Sequence, residues 1–157
     1  MNSKKKEIPT GSLIENYLPA DYADTFSRIV ICKQAITPDE FRVLAFGQVP
    51  KWIDWLMKLR NCIVQPLGLD TKSKFVDMIH AQNSDEVIFG MPDKHLSFYV
   101  SMWCGEYKDG RQKLQITTVV KYNNWIGKVY FFIIKPFHSI IIRSILNNIK
   151  DPHGTLK

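Results

Sequence analysis

Four histidines, two aspartates, an arginine and three cysteines are the side chains in this sequence best suited to chemistry. His80, His95, His138 and His153 titrate near neutrality and suit acid–base work. None stands in an H-x-x-x-H or H-E-x-x-H spacing, and Cys32, Cys62 and Cys104 form no metal-type pair, so no metal site and no cofactor is expected. No serine stands in a nucleophile-elbow pattern. His80 shares a strand face with Val76 and Met78, which points to a core histidine or to one facing a pocket. His138 flanks the apolar side of a helix beside Pro136, which points to the mouth of a pocket beneath it or to an ordinary surface histidine. Asp77 alternates with Phe75 and Ile79, so an inward carboxylate or a solvent-facing one are both open. Cys104 alternates inward with Met102 and reads as core, with nothing to activate it. Arg60 and Asn61 follow a tryptophan-rich face. Arg60 can pair with a ligand carboxylate through its planar fork, or simply end a helix. Tyr22 and Asp24 offer a cap or a hydrogen bond and no further mechanism.

The elements that must position these groups follow from periodicity. "DTFSRIVIC", Asp24 to Cys32, reads as a first strand. Thr37, Pro38 and Glu40 form a capping-box signature for a short helix ending at Gly47. Pro50 opens a second helix, with Trp52, Trp55, Leu56, Leu59 and Ile63 on one face and Pro66 and Gly68 as its stop. The period then becomes alternating. Phe75 to Ala81, Glu86 to Met91, Leu96 to Cys104 and Leu114 to Tyr122 read as four strands, with "QNSD", "MPDKH" and "KDGR" as turns. They predict an antiparallel meander.

The C-terminal stretch "FFIIKPFHSIIIR", Phe131 to Arg143, decides the architecture. A membrane span needs about 20 apolar residues, and Lys128, Lys135 and Arg143 break the run, so no transmembrane segment is expected. Projected at about 100° per residue, the three cations share one side. Ile126, Val129, Tyr130, Ile133, Ile134, Phe137, Ile140, Ile141 and Ile145 then fall on the other, with Ile133 and Phe137 central and expected to be buried. Asn123 and Asn124 are capping candidates, and Asp151 with Pro152 the stop. Phe131, Phe132 and Ile142 fall on or beside the charged side. They imply either chance exposure or a homodimer or partner contact.

The sum is an α+β chain in which a curved antiparallel sheet wraps a long C-terminal helix, with two short helices between the first strand and the meander. Residues 18–150 form the single domain, between a flexible tail at 1–17 and another at 151–157. The 157 residues are 45% hydrophobic and 23% charged, as in an ordinary globular protein. The net charge of +6 is scattered apart from Lys4, Lys5 and Lys6, which gives no nucleic-acid footprint. No apolar leader follows Met1, and the odd cysteine count favours a reduced, cytoplasmic setting.

Local stretches add a resemblance. "LPADYADTF", "PKWIDWLMKLRNCIVQPLGL", "HLSFYVSM", "TTVVKYNNWIGKVYF" and "KPFHSIIIRSIL" resemble a bacterial family, domain of unknown function 2867, from about Leu18 to Ile149. The element order resembles the START-like, or helix-grip, superfamily, which includes polyketide-cyclase-like proteins. The family carries no established activity. In some bacterial proteins a similar domain follows a short-chain-dehydrogenase-like one, but this chain shows no G-x-G-x-x-G. The superfamily implies a cavity between sheet and helix for a small apolar or amphipathic ligand. Trp52, Trp55, Arg60, His80, Phe98, Tyr130, Phe137 and His138 are its expected lining. The competing expectations are a cyclase- or hydrolase-like enzyme in the same cavity and an interaction protein.

Overall fold

The computed structural model describes residues 8–47 and 78–150, with isolated positions between them at 51, 58, 61, 62 and 65–67. The predicted second helix with Trp52, Trp55 and Arg60, the start of the strand at Phe75, and Asp77 lie outside the described residues. So does the 151–157 tail.

The fold is α+β. Strand β1 (Tyr22–Ile31) leads to helix α1 (Pro38–Phe46). Strands β2 (Ile79–Gln82), β3 (Glu86–Pro92), β4 (Leu96–Lys108) and β5 (Arg111–Tyr122) follow, and helix α2 (Trp125–Asn148) comes last. The strands form one antiparallel sheet in the order β1-β5-β4-β3-β2, with α2 laid across β1 and β5. This is the helix-grip arrangement. The chain makes the predicted capping box at α1: the Thr37 hydroxyl accepts from the Glu40 N–H, and the Glu40 carboxylate accepts from the Thr37 N–H. The β4–β5 hairpin turns through Asp109 and Gly110, both at positive φ, as a tight turn between twisted strands requires.

Alternation separates the two faces of the sheet. On the inner face, Val87, Phe89, Val100, Met102, Cys104, Leu114 and Ile116 pack with Phe41 and Ala45 of α1 and with Ile142, Ile145 and Leu146 of α2. Further along α2 a second cluster joins Leu96, Val120, Tyr130 and Phe131. The outer face is covered by the stretch expected to be a tail. Leu13–Tyr17 forms a 3-10 turn, and Ile14 is fully buried against Ile88 and Val119. Glu86 anchors it from the sheet, accepting from the Ser12 hydroxyl (2.7 Å), the Leu13 N–H (2.6 Å) and the Ser101 hydroxyl. Three donors satisfy a carboxylate that burial would otherwise make costly.

Helix α2 is rotated from the expected arc. Tyr130, Phe131, Ile142, Ile145 and Leu146 are buried, whereas Ile133 (42% exposed), Phe137 (39%), Val129 (51%) and Ile140 (54%) turn outward. The expectation that Ile133 and Phe137 sit deepest is therefore corrected. So is the reading of Phe131 and Ile142 as surface contacts; of that trio only Phe132 is exposed, at 80%. The physical reason is that α2 is apolar nearly all round, so three cations do not define its outer face. Lys135 lies at the flank, its ammonium 4.9 Å from the Tyr22 ring centroid, and rotation is set by the close contacts at the helix ends.

Those ends are clamped. At the N-terminus Asn124 caps the helix, its side-chain oxygen accepting from the Gly127 N–H (3.1 Å). Its amide reaches back to the Lys94 carbonyl and to His95 Nδ1. At the C-terminus, Arg28 of β1 donates to the carbonyls of Leu146 (2.7 Å) and Asn147 (2.6 Å). It satisfies orphan acceptors and complements the helix dipole.

Candidate functional site

Between the two apolar clusters runs a polar seam built from β1, β5 and α2. Tyr22 and Asp24 stand two apart on β1 and so share a face. Thr118 of β5 is the register partner of Asp24. His138 and Ser139 come down from α2, one turn past the outward Ile133. Asp24 Oδ2 accepts from the Tyr22 hydroxyl at 2.7 Å and lies 3.5 Å from His138 Nε2. The side chains of Asp24 and His138 are only 14% and 16% exposed. The second carboxylate oxygen of Asp24, His138 Nε2 and the Thr118 hydroxyl are all buried and hydrogen-bonded to no protein atom.

Such atoms are costly. A buried donor or acceptor without a partner forfeits about 1–3 kcal/mol. Two such atoms, on Asp24 and Thr118, belong to one register pair, and His138 Nε2 faces the same carboxylate. Phe98 borders both clusters, and Tyr130 and Phe131 line the neighbouring one. Polar groups thus converge beside an apolar wall, as in many small-molecule sites.

The Tyr22 phenol is raised above its ordinary range, first by burial, then by its hydrogen bond to Asp24 and the Asp24 charge, with Ser139 opposing. A group whose folded value is raised stabilises the fold below its unfolded value and loses that contribution as pH climbs past it. Stability is therefore expected to fall above the ordinary phenol range, near pH ~10. Denaturant unfolding measured across that range should show a shallower fall for Tyr22→Phe than for wild type. Equal slopes would remove Tyr22 from the buried seam.

Of the residues expected to line a cavity, His138, Phe98 and Tyr130 are brought to this region. Phe137 neighbours His138 in the chain but turns partly outward. His80 is not brought here. It is exposed, on the opposite side of the sheet, packed edge-on to Tyr17 and Tyr99, with the Tyr17 hydroxyl 3.4 Å from its Nδ1. His80 and His138 consequently cannot act on one substrate. Burial, then Asp85 and Glu40, pushes the Cys104 thiol up to about 12, which suits its place in the core and not a nucleophile. Among the described residues no cluster of His, Cys, Asp and Glu is arranged to hold a metal ion.

The family model described as "Protein of unknown function (DUF2867)" matches residues 17–145. The chain belongs to this DUF2867 family. No curated protein and no solved structure matches it at a significant level. The matched range includes Tyr22, Asp24, Thr118, His138 and Ser139, so the whole seam lies within the DUF2867 domain. Sequence reasoning named Tyr22 and Asp24 without a role and passed over Thr118 and Ser139. Thr118 was signalled by being the polar member of the inward series Leu114, Ile116, Thr118, Val120.

Proposed function

We propose that this DUF2867 protein is a START-like binding protein whose sheet–helix seam takes a small amphipathic ligand. The observation that carries the reading is the set of buried polar atoms on Asp24, Thr118 and His138 that make no hydrogen bond to the protein, set between two apolar clusters, with His138 Nε2 facing the Asp24 carboxylate at 3.5 Å. The polar end of the ligand meets these atoms, and its apolar body lies along Phe98 and Tyr130. A carboxylate oxygen accepts only, so a hydroxyl or amine fits Asp24 better than a second carboxylate. The helix-grip architecture supports the START-like placement by analogy of fold.

The test is displacement of a fluorescent long-chain alcohol by a panel of hydroxyl- and amine-bearing amphiphiles, compared between wild type and Thr118→Val. Valine keeps the volume and removes the orphan hydroxyl. The variant should bind about tenfold more weakly, the worth of one hydrogen bond, while unfolding at an equal or higher midpoint. Undiminished binding, or no binding by any compound, would overturn the reading.

A second reading is acid–base catalysis on the same ligand, favoured by the approach of His138 Nε2 to the carboxylate that also holds the Tyr22 hydroxyl. Mass spectrometry and NMR of a recovered panel compound decide between them. A change of ligand mass, or of its NMR spectrum at constant mass, that His138→Gln abolishes identifies an enzyme, and a compound recovered unchanged in both a carrier.

A further inference from the structure

Helix α2 carries a second apolar face, turned away from the sheet. Trp125 (74% exposed), Val129, Phe132 (80%), Ile133, Phe137 and Ile140 recur at spacings of three and four, so they form one stripe along the outer side of the helix. No described element covers it. Single exposed apolar residues are ordinary, but a contiguous stripe over four turns reaches the size at which exposed patches mark docking surfaces. By length and composition α2 is apolar enough to cross a bilayer, yet Tyr130, Phe131, Ile142, Ile145 and Leu146 are committed to the sheet. That leaves a helix gripped on one side, with no described element against the other.

We propose that this outward face docks onto the surface of an anionic lipid bilayer. Charge selects the occupant. Lys128 lies exposed along one flank of the stripe, with Lys135 on the same flank, its ammonium over Tyr22, and Arg143 at the end, its guanidinium over Phe26, while α2 contains no Asp or Glu. A second copy of the same face would set lysines against lysines with no carboxylate on either helix to offset them. Anionic headgroups would pair with them, and each cation near such a surface contributes favourably. The stripe itself contains no hydrogen-bonding group apart from the Trp125 indole. Tryptophan and phenylalanine beside snorkelling lysines are the composition of a helix lying in the interface plane. The net charge of +6 attracts the whole molecule to the same surface. This binding is independent of the seam, which faces the sheet.

Co-sedimentation tests the proposal on the full chain. Vesicles of phosphatidylcholine with about one third phosphatidylglycerol should carry the protein down, and pure phosphatidylcholine should not. Added salt should weaken the binding. Phe132→Ser and Trp125→Ser together should weaken it about tenfold or more, with an unchanged thermal midpoint because both side chains are exposed. Lys128→Glu should weaken it without touching the stripe. Failure to sediment with anionic vesicles would overturn the proposal, as would binding that survives the double substitution. A dimer in light scattering that Phe132→Ser converts to monomer would assign the face to a second copy instead. If the quenchable fluorescence of the lipid-free monomer is the same in wild type and Trp125→Phe, although the chain has four tryptophans, Trp125 is shielded and the face is covered by the chain itself.

Discussion

Phe131→Ala should cost about 3–5 kcal/mol and Phe132→Ala almost nothing, although the two residues are adjacent and identical. Phe131 is 5% exposed and Phe132 80%. The Phe131 ring lies 4.8 Å from that of Tyr22 and 5.9 Å from that of Tyr122, in a cluster with Leu96, Val120 and Tyr130. Truncation removes both the transfer energy of the ring and the aromatic contacts, and leaves a cavity at the junction of β1, β5 and α2. Against a total stability of roughly 5–15 kcal/mol this is a large fraction. Chemical denaturation of both variants decides the matter. Equal losses, or a larger loss at Phe132, would mean that α2 presents the arc centred on Ile133 and Phe137 to the sheet.

That arc is where the sequence misled. The strands were legible because alternation over ten residues has a definite phase. Leu96, Val100, Met102 and Cys104 all face inward as expected. The capping box at Thr37 and the Asn124 cap were legible because they rest on local chemistry. The phase of α2 was not. Its sequence has apolar residues on every side, so the placement of Lys128, Lys135 and Arg143 was the only asymmetry to read. Long cationic side chains can lie at the flank of a buried face and snorkel, so they mark the edge of the interface and not its opposite pole. The information that fixes the rotation is tertiary. It lies in the fit of a glycine against a loop and of an arginine from β1 against the last turn.

The same limit applied to the seam. Tyr22, Asp24 and His138 are all visible as residues able to do chemistry, but Asp24 and His138 are more than a hundred positions apart. Their approach depends on β1 closing the sheet beside β5, so that Thr118 falls opposite Asp24, and on α2 being rotated as found. With Ile133 and Phe137 inward, His138 would have pointed to the edge. Glu86 was missed for a different reason. A carboxylate opening a strand after a turn reads as solvated. It is buried because residues 8–17 fold back over the outer face, packing Ile8, Leu13, Ile14 and Tyr17 there, and supply its donors.

The glycine that sets the rotation gives a prediction whose sign is diagnostic. Gly127 lies in the first turn of α2, and its backbone abuts the β3–β4 turn. A Cβ built there would land on the His95 carbonyl oxygen, with the carbonyl carbon 2.7 Å away and Leu96 Cβ at 3.4 Å. The obstacle is backbone, so no rotamer change relieves it. The same turn is bound on either side, by the Asn124 amide at Lys94 and His95 and by the Asn123 N–H at the His95 carbonyl. In an exposed helix position, glycine to alanine stabilises by about 1 kcal/mol. Here Gly127→Ala should instead destabilise by about 3 kcal/mol or more, because the helix end must lift off the turn. The consequence reaches the seam. His138 lies eleven residues further on, about 16 Å along the axis, and a lifted N-terminus tilts the helix about the Arg28 clamp at its other end. Gly127→Ala should therefore also weaken binding of the fluorescent alcohol, whereas Lys128→Ala next to it should alter neither stability nor that binding. An alanine variant as stable as wild type would show that α2 is not seated on the β3–β4 turn. The rotation that brings His138 to Asp24 would then lack its anchor.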